Sequence, residues 1–243
     1  MNELEAKNII DQSGLVTSSQ TGIHPRLAEI VGRHINTPWT QPLHQPTVDV
    51  YQLLEKENGF SDGQPFIVDS GCGTGKSTQR LASLYPRHLV IGVDRSQVRL
   101  AKSGVGSGIF RSGNCMLLRA ELSTFWRLLE KNGRQPEANY LLYPNPYPKP
   151  GHLSRRWHGH PVFPTLLAIS GKIELRCNWE IYALEFARAV QHATGSIVAA
   201  KRIAPGKGLS PFEDKYLERQ QSLFSVEVAA EITDSFRQNR LPG

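Results

Sequence analysis

Apolar and polar positions follow two rhythms along this 243-residue chain. Short runs, apolar or alternating apolar with polar, recur at Phe66-Ile67-Val68, Leu89-Val90-Ile91-Gly92-Val93, 115–118, Tyr140-Leu141-Leu142-Tyr143, 173–176, Ile197-Val198-Ala199-Ala200 and 223–228. Each has the length of a strand buried on both faces. Helical stripes lie between them. Leu122, Phe125, Trp126 and Leu129 fall at i, i+3, i+4 and i+7, one face of a helix. Leu81, Leu84 and Tyr85 share a shorter face that Pro86 stops, and Trp179, Tyr182, Ala183, Phe186, Ala189 and Val190 form the longest stripe. Strands alternating with helices predict an α/β domain: a seven-stranded, mostly parallel sheet with helices on both faces.

That pattern begins only after Pro46. Thr47 is placed to cap a helix carrying Val50, Leu53 and Leu54. Residues 1–46 are rich in Ser, Thr, Gln, His and Pro, with one short helix expected at 26–34 behind Pro25. The chain therefore divides into a flexible N-terminal arm, 1–46, and one domain, 47–243. That length buries a core without disulfides or metals. The three cysteines, Cys72, Cys115 and Cys177, are too few and too scattered for a disulfide framework or a Cys-x-x-Cys metal site. No apolar run approaches a membrane span, and the polar start Met1-Asn2-Glu3-Leu4-Glu5 is unlike a secretory signal. A cytoplasmic protein with reduced thiols and no metal is expected. Twenty-eight Lys and Arg against 22 Asp and Glu leave a net charge of +6, a surface that tolerates polyanions.

The first candidate chemistry is the turn Asp69-Ser70-Gly71-Cys72-Gly73-Thr74-Gly75-Lys76-Ser77. A phosphate-binding loop needs Gly, four residues, then Gly-Lys-Ser/Thr. Here Ser70 stands where the first glycine belongs. A dinucleotide fingerprint starting at Gly71 would end at position 76, which is Lys. The pattern acidic-x-Gly-x-Gly-x-Gly fits without a miss, and it is that of S-adenosylmethionine (AdoMet) methyltransferases. AdoMet has no phosphate, so such a turn needs only glycines that let the backbone pass close to the ligand. Asp69 is placed near the cationic end of AdoMet. Asp94, at the tip of the second strand, is placed to accept from ribose hydroxyls. Glu121 is placed either on the adenine or as a helix-capping acid. The phosphate-loop reading stays as a minority alternative.

The second candidate lies after the fourth strand, at the sheet edge where open α/β folds bind ligands. No Asp or Glu occurs from Ala138 to Lys172, while Lys149, Arg155, Arg156, Lys172, His152, His158 and His160 do. A basic loop beside a methyl donor points to a phosphate-bearing substrate.

With these motifs in order, the chain resembles the bacterial tRNA (guanine-N7)-methyltransferase family over about residues 60–230. Pro144-Asn145-Pro146-Tyr147 with Lys149, His152 and Arg155-Arg156 follows that family's Pro-Asp-Pro-Trp-like motif and basic loop. Cys177-Asn178-Trp179-Glu180-Ile181-Tyr182 follows its Thr-Asp-Trp-Glu-x-Tyr motif, and Ser210-Pro211-Phe212-Glu213 its Thr-Lys-Phe-Glu motif. The resemblance implies a Rossmann-like class I methyltransferase with AdoMet as cofactor and tRNA as partner. It further implies AdoMet contacts at Asp69, Gly71, Gly73, Gly75, Asp94 and Glu121, and Asn145 beside the transferred methyl. Substrate contacts are implied at Lys149, Arg155, Arg156, Asn178, Ser210 and Glu213. Monomer and homodimer both stay open. This sequence departs from the family where Asn145 and Asn178 replace acids and Ser210-Pro211 replaces Thr-Lys. Asn-Pro-Tyr also resembles the Asn-Pro-Pro-Tyr-like motif of amino-group methyltransferases. Transfer to another RNA base or to an amino group, and a non-catalytic RNA-binding paralogue, are the alternatives.

Overall fold

A computed structural model gives the fold over residues 15–106, 108–204, 206 and 208–240. Two helices, α1 (Leu27–Asn36) and α2 (Gln45–Leu54), precede the alternating part. Then follow β1 (Phe66–Ser70), α3 (Lys76–Leu84), β2 (Leu89–Asp94), α4 (Gln97–Ala101), β3 (Ile109–Ser112), β4 (Cys115–Arg119), α5 (Leu122–Lys131) and β5 (Ala138–Leu142). After two 3-10 turns come α6 (Phe163–Ile169), β6 (Lys172–Cys177), α7 (Glu180–Thr194), β7 (Ala200–Arg202), α8 (Pro211–Glu218), β8 (Phe224–Val228) and α9 (Ala230–Asn239).

The strands form one sheet in the order β3-β4-β2-β1-β5-β6-β8-β7. The run from β4 to β6 is parallel, and β8 is antiparallel to both β6 and β7. This is the expected seven-stranded sheet with one strand added. The addition, β3, pairs antiparallel with β4 across a tight turn at Gly113. Its residues are half-buried or exposed, so it carries no apolar run. β7 also differs from its expected place at 197–200. Gly195 ends α7 in the left-handed conformation, and Ile197 lies outside the sheet, 82% exposed. The strand begins only at Ala200.

Alternate strand residues face opposite sides, and both sides are covered, which is why β1, β2 and β4 are apolar over most of their length. Val68, Ile91 and Met116 join the core beneath α5, α6, α7 and α9, while Ile67, Val90 and Leu117 join the smaller core beneath α3 and α4. Gly92 allows the helix on that second side to lie close, since a side chain there would meet Thr78 Oγ1 at 2.3 Å.

The described part of the expected arm, residues 15–46, is not loose. Leu27, Ile30 and Val31 of α1 are buried in the main core, where α1 packs on α7. The helix expected at 26–34 is present as α1; its burial was not expected, because the segment around it is rich in prolines and polar residues. Residues 1–14 lie outside the described residues. Helix α2 starts at Gln45, ahead of Thr47, so Thr47 is no cap. Its hydroxyl instead accepts from the Glu121 amide at 2.8 Å, tying α2 to the start of α5.

The parallel strands end on one edge at Ser70, Asp94, Arg119, Leu142 and Cys177. From β1 the chain moves outward to β2 and β4, then returns to β5 on the other side of β1. The connections diverge at that switch point and leave a crevice.

Candidate active site

The crevice is a cavity of about 580 Å³. One side is the turn after β1, where Gly71, Gly73 and Gly75 have φ of +84°, +60° and +74°, a region costly for any other residue. Gly71 lines the cavity, and no atom lies within 4 Å of where its side chain would begin. A ligand can therefore lie directly against this backbone. Gly75 has a packing role instead, as a side chain there would strike Leu117. The turn's amides are already used. Gly71 and Cys72 donate to Val93 O, Gly73 to Asp94 Oδ2 and Gly75 to Cys72 O, all between 2.8 and 3.1 Å. Ser77 Oγ donates to Asp69 Oδ2 at 2.6 Å. A phosphate-binding loop needs such amides and that hydroxyl free, so the geometry opposes the phosphate reading.

Asp69 does not face the cavity. It is buried, and its Oδ2 also accepts from Thr78 Oγ1 at 2.8 Å, while Oδ1 has no partner. Its expected contact with the ligand's cationic end is thus replaced by an organising role beneath the turn. Burial pushes its carboxyl up to about 6, against the pull of the two hydroxyls. The group titrates near 3.8 when free, so the folded state prefers it protonated. That preference stabilises the fold fully below pH 3.8 and is lost as pH rises through 6. Asp69→Asn, neutral throughout, is expected to gain up to about 3 kcal/mol at pH 8 and nothing near pH 4. Thermal melts at the two pH values check this; a variant destabilised at pH 8 would contradict it.

Asp94 and Glu121 do line the cavity. Asp94 Oδ1 accepts from Ser96 N at 2.8 Å, and the Arg99 guanidinium stands 3.4 Å away. Glu121 caps α5, accepting from Ser123 N at 3.0 Å and Thr124 N at 2.7 Å. Burial works to raise its pKa, but the Ser123 hydroxyl, donating at 2.6 Å, and these two amides outweigh it and hold the carboxyl below its usual range. Cap and cavity wall are thus one side chain.

The opposite half of the cavity comes from the ends of β5 and β6, the loop after β5 and the start of α8. Asn145 is exposed there, its Oδ1 accepting from Tyr147 N at 3.3 Å. Tyr143 and Tyr147 flank it at φ of +54° and +44°, strained values for large side chains that cluster at functional sites. Asn178 lines the same half and donates to Gln221 Oε1 at 3.2 Å. Arg155 is exposed at the rim, its guanidinium 6.0 Å from the Tyr147 ring centre. His160 lines this half too, and burial lowers its pKa to about 4, so it is neutral at pH 7. Lys149 is exposed on the same loop but outside the cavity wall.

Three expected substrate contacts are corrected. Arg156 is fully buried against Glu185 and holds no external phosphate. Ser210 caps α8 by accepting from Glu213 N. Glu213 is buried in an ion pair with Arg176 at 2.7 Å, so it does not supply the acid missing at Asn145. Trp179 is buried beneath Arg156, so it offers no face for a base to stack on. The sequence reading missed the aromatic wall of Tyr143, Trp157, Tyr182, Phe212 and Tyr216. Its one visible signal was Phe212, an apolar residue directly after a Ser-Pro helix start; it is 48% exposed. Among the described residues no group of His, Cys, Asp and Glu could hold a metal, and no helix is long and apolar enough to cross a membrane.

A family model described as "Putative methyltransferase" matches residues 63–224. A tRNA (guanine-N(7)-)-methyltransferase of Cytophaga hutchinsonii is 24% identical over 143 residues, covering 56% of this chain and 64% of its own length. One of Hydrogenovibrio crunogenus is 26% identical over 179 residues, 70% of each chain. The chain thus spans just under two thirds of the first relative. A solved structure titled "Structure of an Antibiotic Related Methyltransferase" aligns with a TM-score of 0.48 at 15% identity, over 79% of this chain and 96% of that one.

Proposed function

Because this chain belongs to that methyltransferase family, as a divergent relative of the tRNA (guanine-N7)-methyltransferases, we propose that it methylates N7 of a guanine in tRNA. AdoMet is the methyl donor. The cavity fits it, with an open backbone at Gly71, a carboxylate at Asp94 and a second at Glu121, all on one half. Bound there, it supplies an electrophilic methyl on a sulfonium.

One observation carries the acceptor assignment. Both carboxylates that line the cavity, Asp94 and Glu121, lie on the donor half. The acceptor half has aromatic rings, two asparagines and Arg155 at the rim. A cationic amine such as lysine finds no counter-charge there. A flat neutral base attached to a polyanion finds rings to stack on and a cation for its phosphate.

Guanine N7 offers an exposed lone pair, so attack needs no prior loss of a proton. The protein's task is alignment and exclusion of water. Asn145 orients the base through its amide, with one acceptor oxygen where a carboxylate would accept two hydrogens from guanine. Tyr147, Trp157 and Phe212 close the cavity around the base. Arg155 and Lys149 hold backbone phosphates, whereas Arg156 contributes no charge to RNA.

The test is incubation with labelled AdoMet and two acceptors, unmodified bulk tRNA and a protein extract. Label in tRNA is expected; label in protein alone would contradict the proposal. Arg155→Ala is expected to weaken RNA binding for all sequences alike and to reduce the salt slope of log K by about 1. Binding measured from low to moderate salt checks this, and an unchanged slope would remove Arg155 from the phosphate path.

A second reading is favoured by the bare amide of Asn145, with no carboxylate beside it among the cavity residues. Such a group suits the exocyclic amine of a base, whose hydrogens it can accept.

A further inference from the structure

The buried ion pair that removed Arg156 from the substrate surface has a use of its own. Glu185 sits in the middle of α7 and is fully buried. A charged residue on the apolar face of a helix is costly unless its oxygens are matched. Here they are. Oε2 accepts from Arg156 Nη1 and from His158 Nε2, the latter at 2.9 Å. Oε1 accepts from Gln20 Nε2 at 2.6 Å and from the His24 amide at 2.9 Å. Burial alone would raise the Glu185 pKa; His158 and Arg156 outweigh it and hold the carboxyl near 2.

Arg156 in turn directs Nε and Nη2 at the loop backbone and at Gln20. Nε and Nη2 donate to Tyr147 O at 3.1 and 3.0 Å, and Nη2 also reaches Lys149 O at 3.3 Å and Gln20 Oε1 at 3.0 Å. Ser18 Oγ donates to Pro148 O at 2.6 Å. Three successive carbonyls of the loop, at 147, 148 and 149, are thus gripped from inside. The gripped stretch begins at Tyr147, one of the two left-handed tyrosines that flank Asn145.

We propose that Glu185 is a positioning residue for methyl transfer. Through Arg156 it fixes the loop that carries Asn145 and Arg155, and through Gln20 and His24 it fastens the N-terminal segment over that loop. The proposal rests on the cavity being the site of transfer.

Glu185→Gln alone leaves the Arg156 charge buried without a partner, so loss of folding would say nothing about position. The informative variant is Glu185→Gln with Arg156→Met. It removes both charges together, which restores stability, but it also removes the grip on the Tyr147 and Lys149 carbonyls. The expected result is a melting temperature near that of the unaltered protein and AdoMet affinity within twofold. Amide exchange across 145–156 should be accelerated tenfold or more, with kcat on tRNA lowered on the order of tenfold. Recovery of exchange protection and of kcat together with the melting temperature would overturn the proposal, because a merely structural pair predicts that. If the double variant does not fold, Gln20→Ala, which removes one donor to Glu185 and one acceptor for Arg156 but leaves the ion pair in place, is expected to speed exchange of the same loop at least threefold; unchanged exchange would overturn the proposal. If the unaltered protein methylates no RNA, the reading of its function fails, and the exchange measurement still decides the positioning role.

Discussion

Asp94→Ala is expected to weaken AdoMet binding by two orders of magnitude or more and to leave the fold intact. Asp94 ends β2 with its carboxylate on the cavity wall. One oxygen already accepts from Gly73 N and the other from Ser96 N, and each retains a lone pair for a ribose hydroxyl. Hydrogen bonds to a charged acceptor contribute about 1.5–3 kcal/mol each. Losing two therefore gives a hundredfold effect or more. The variant also frees the Gly73 amide, loosening the turn against which the ligand lies. Calorimetric titration checks this, with ATP and Mg²⁺ as the control. No ATP heat is expected, because the amides at 71, 72, 73 and 75 are bonded within the turn. AdoMet affinity within threefold of the unaltered protein, or tight ATP binding, would refute the assignment.

Asn145→Asp is expected to raise turnover on tRNA, on the order of tenfold. Attack by N7 leaves positive charge on the purine ring, and the restored carboxylate stands opposite it at almost no change in volume. It also regains the second acceptor for guanine N1–H and N2–H; a charge-assisted contact of this kind contributes about 1–3 kcal/mol. The loop can accept the change, since the Tyr147 amide that now bonds Asn145 Oδ1 bonds a carboxylate equally well. The opposite outcome has a distinct meaning. An exocyclic amine must lose a proton as it is methylated, and the asparagine orients its hydrogens through a neutral acceptor. The added charge then changes both the hydrogen-bond pattern and the local field. A large loss of rate at unchanged AdoMet affinity would move the target from N7 to an amine.

The donor half of the site was legible because it depends on local sequence. Glycine at 71, 73 and 75 and an acid at the tip of β2 are fixed by backbone conformation and strand spacing, and the structure places Gly71 and Asp94 on the cavity wall. Asp69 was found for its position but not its role, because burial is a tertiary property. The acceptor half was less legible. Arg155 and Arg156 are adjacent and chemically alike in sequence. Only the 3-10 turns that follow β5 send one to solvent and the other into the core. Ser210 and Glu213 matched a motif yet serve a helix start and an ion pair. In the fold, the parallel strands and the helix expected at 26–34 were read from the sequence, whereas β3 and the burial of α1 against the core escaped. The packing partner of α1, α7, lies about 150 residues further along the chain, and β3 has only Ile109 and Phe110 to mark it, both half-buried.

The most direct test of the account is to digest tRNA, methylated by this protein with labelled AdoMet, to nucleosides and identify the labelled one. Label is expected in 7-methylguanosine and is expected to be absent with Asp94→Ala. Label in any other nucleoside, or none in tRNA at all from a protein that binds AdoMet, would contradict the proposed activity.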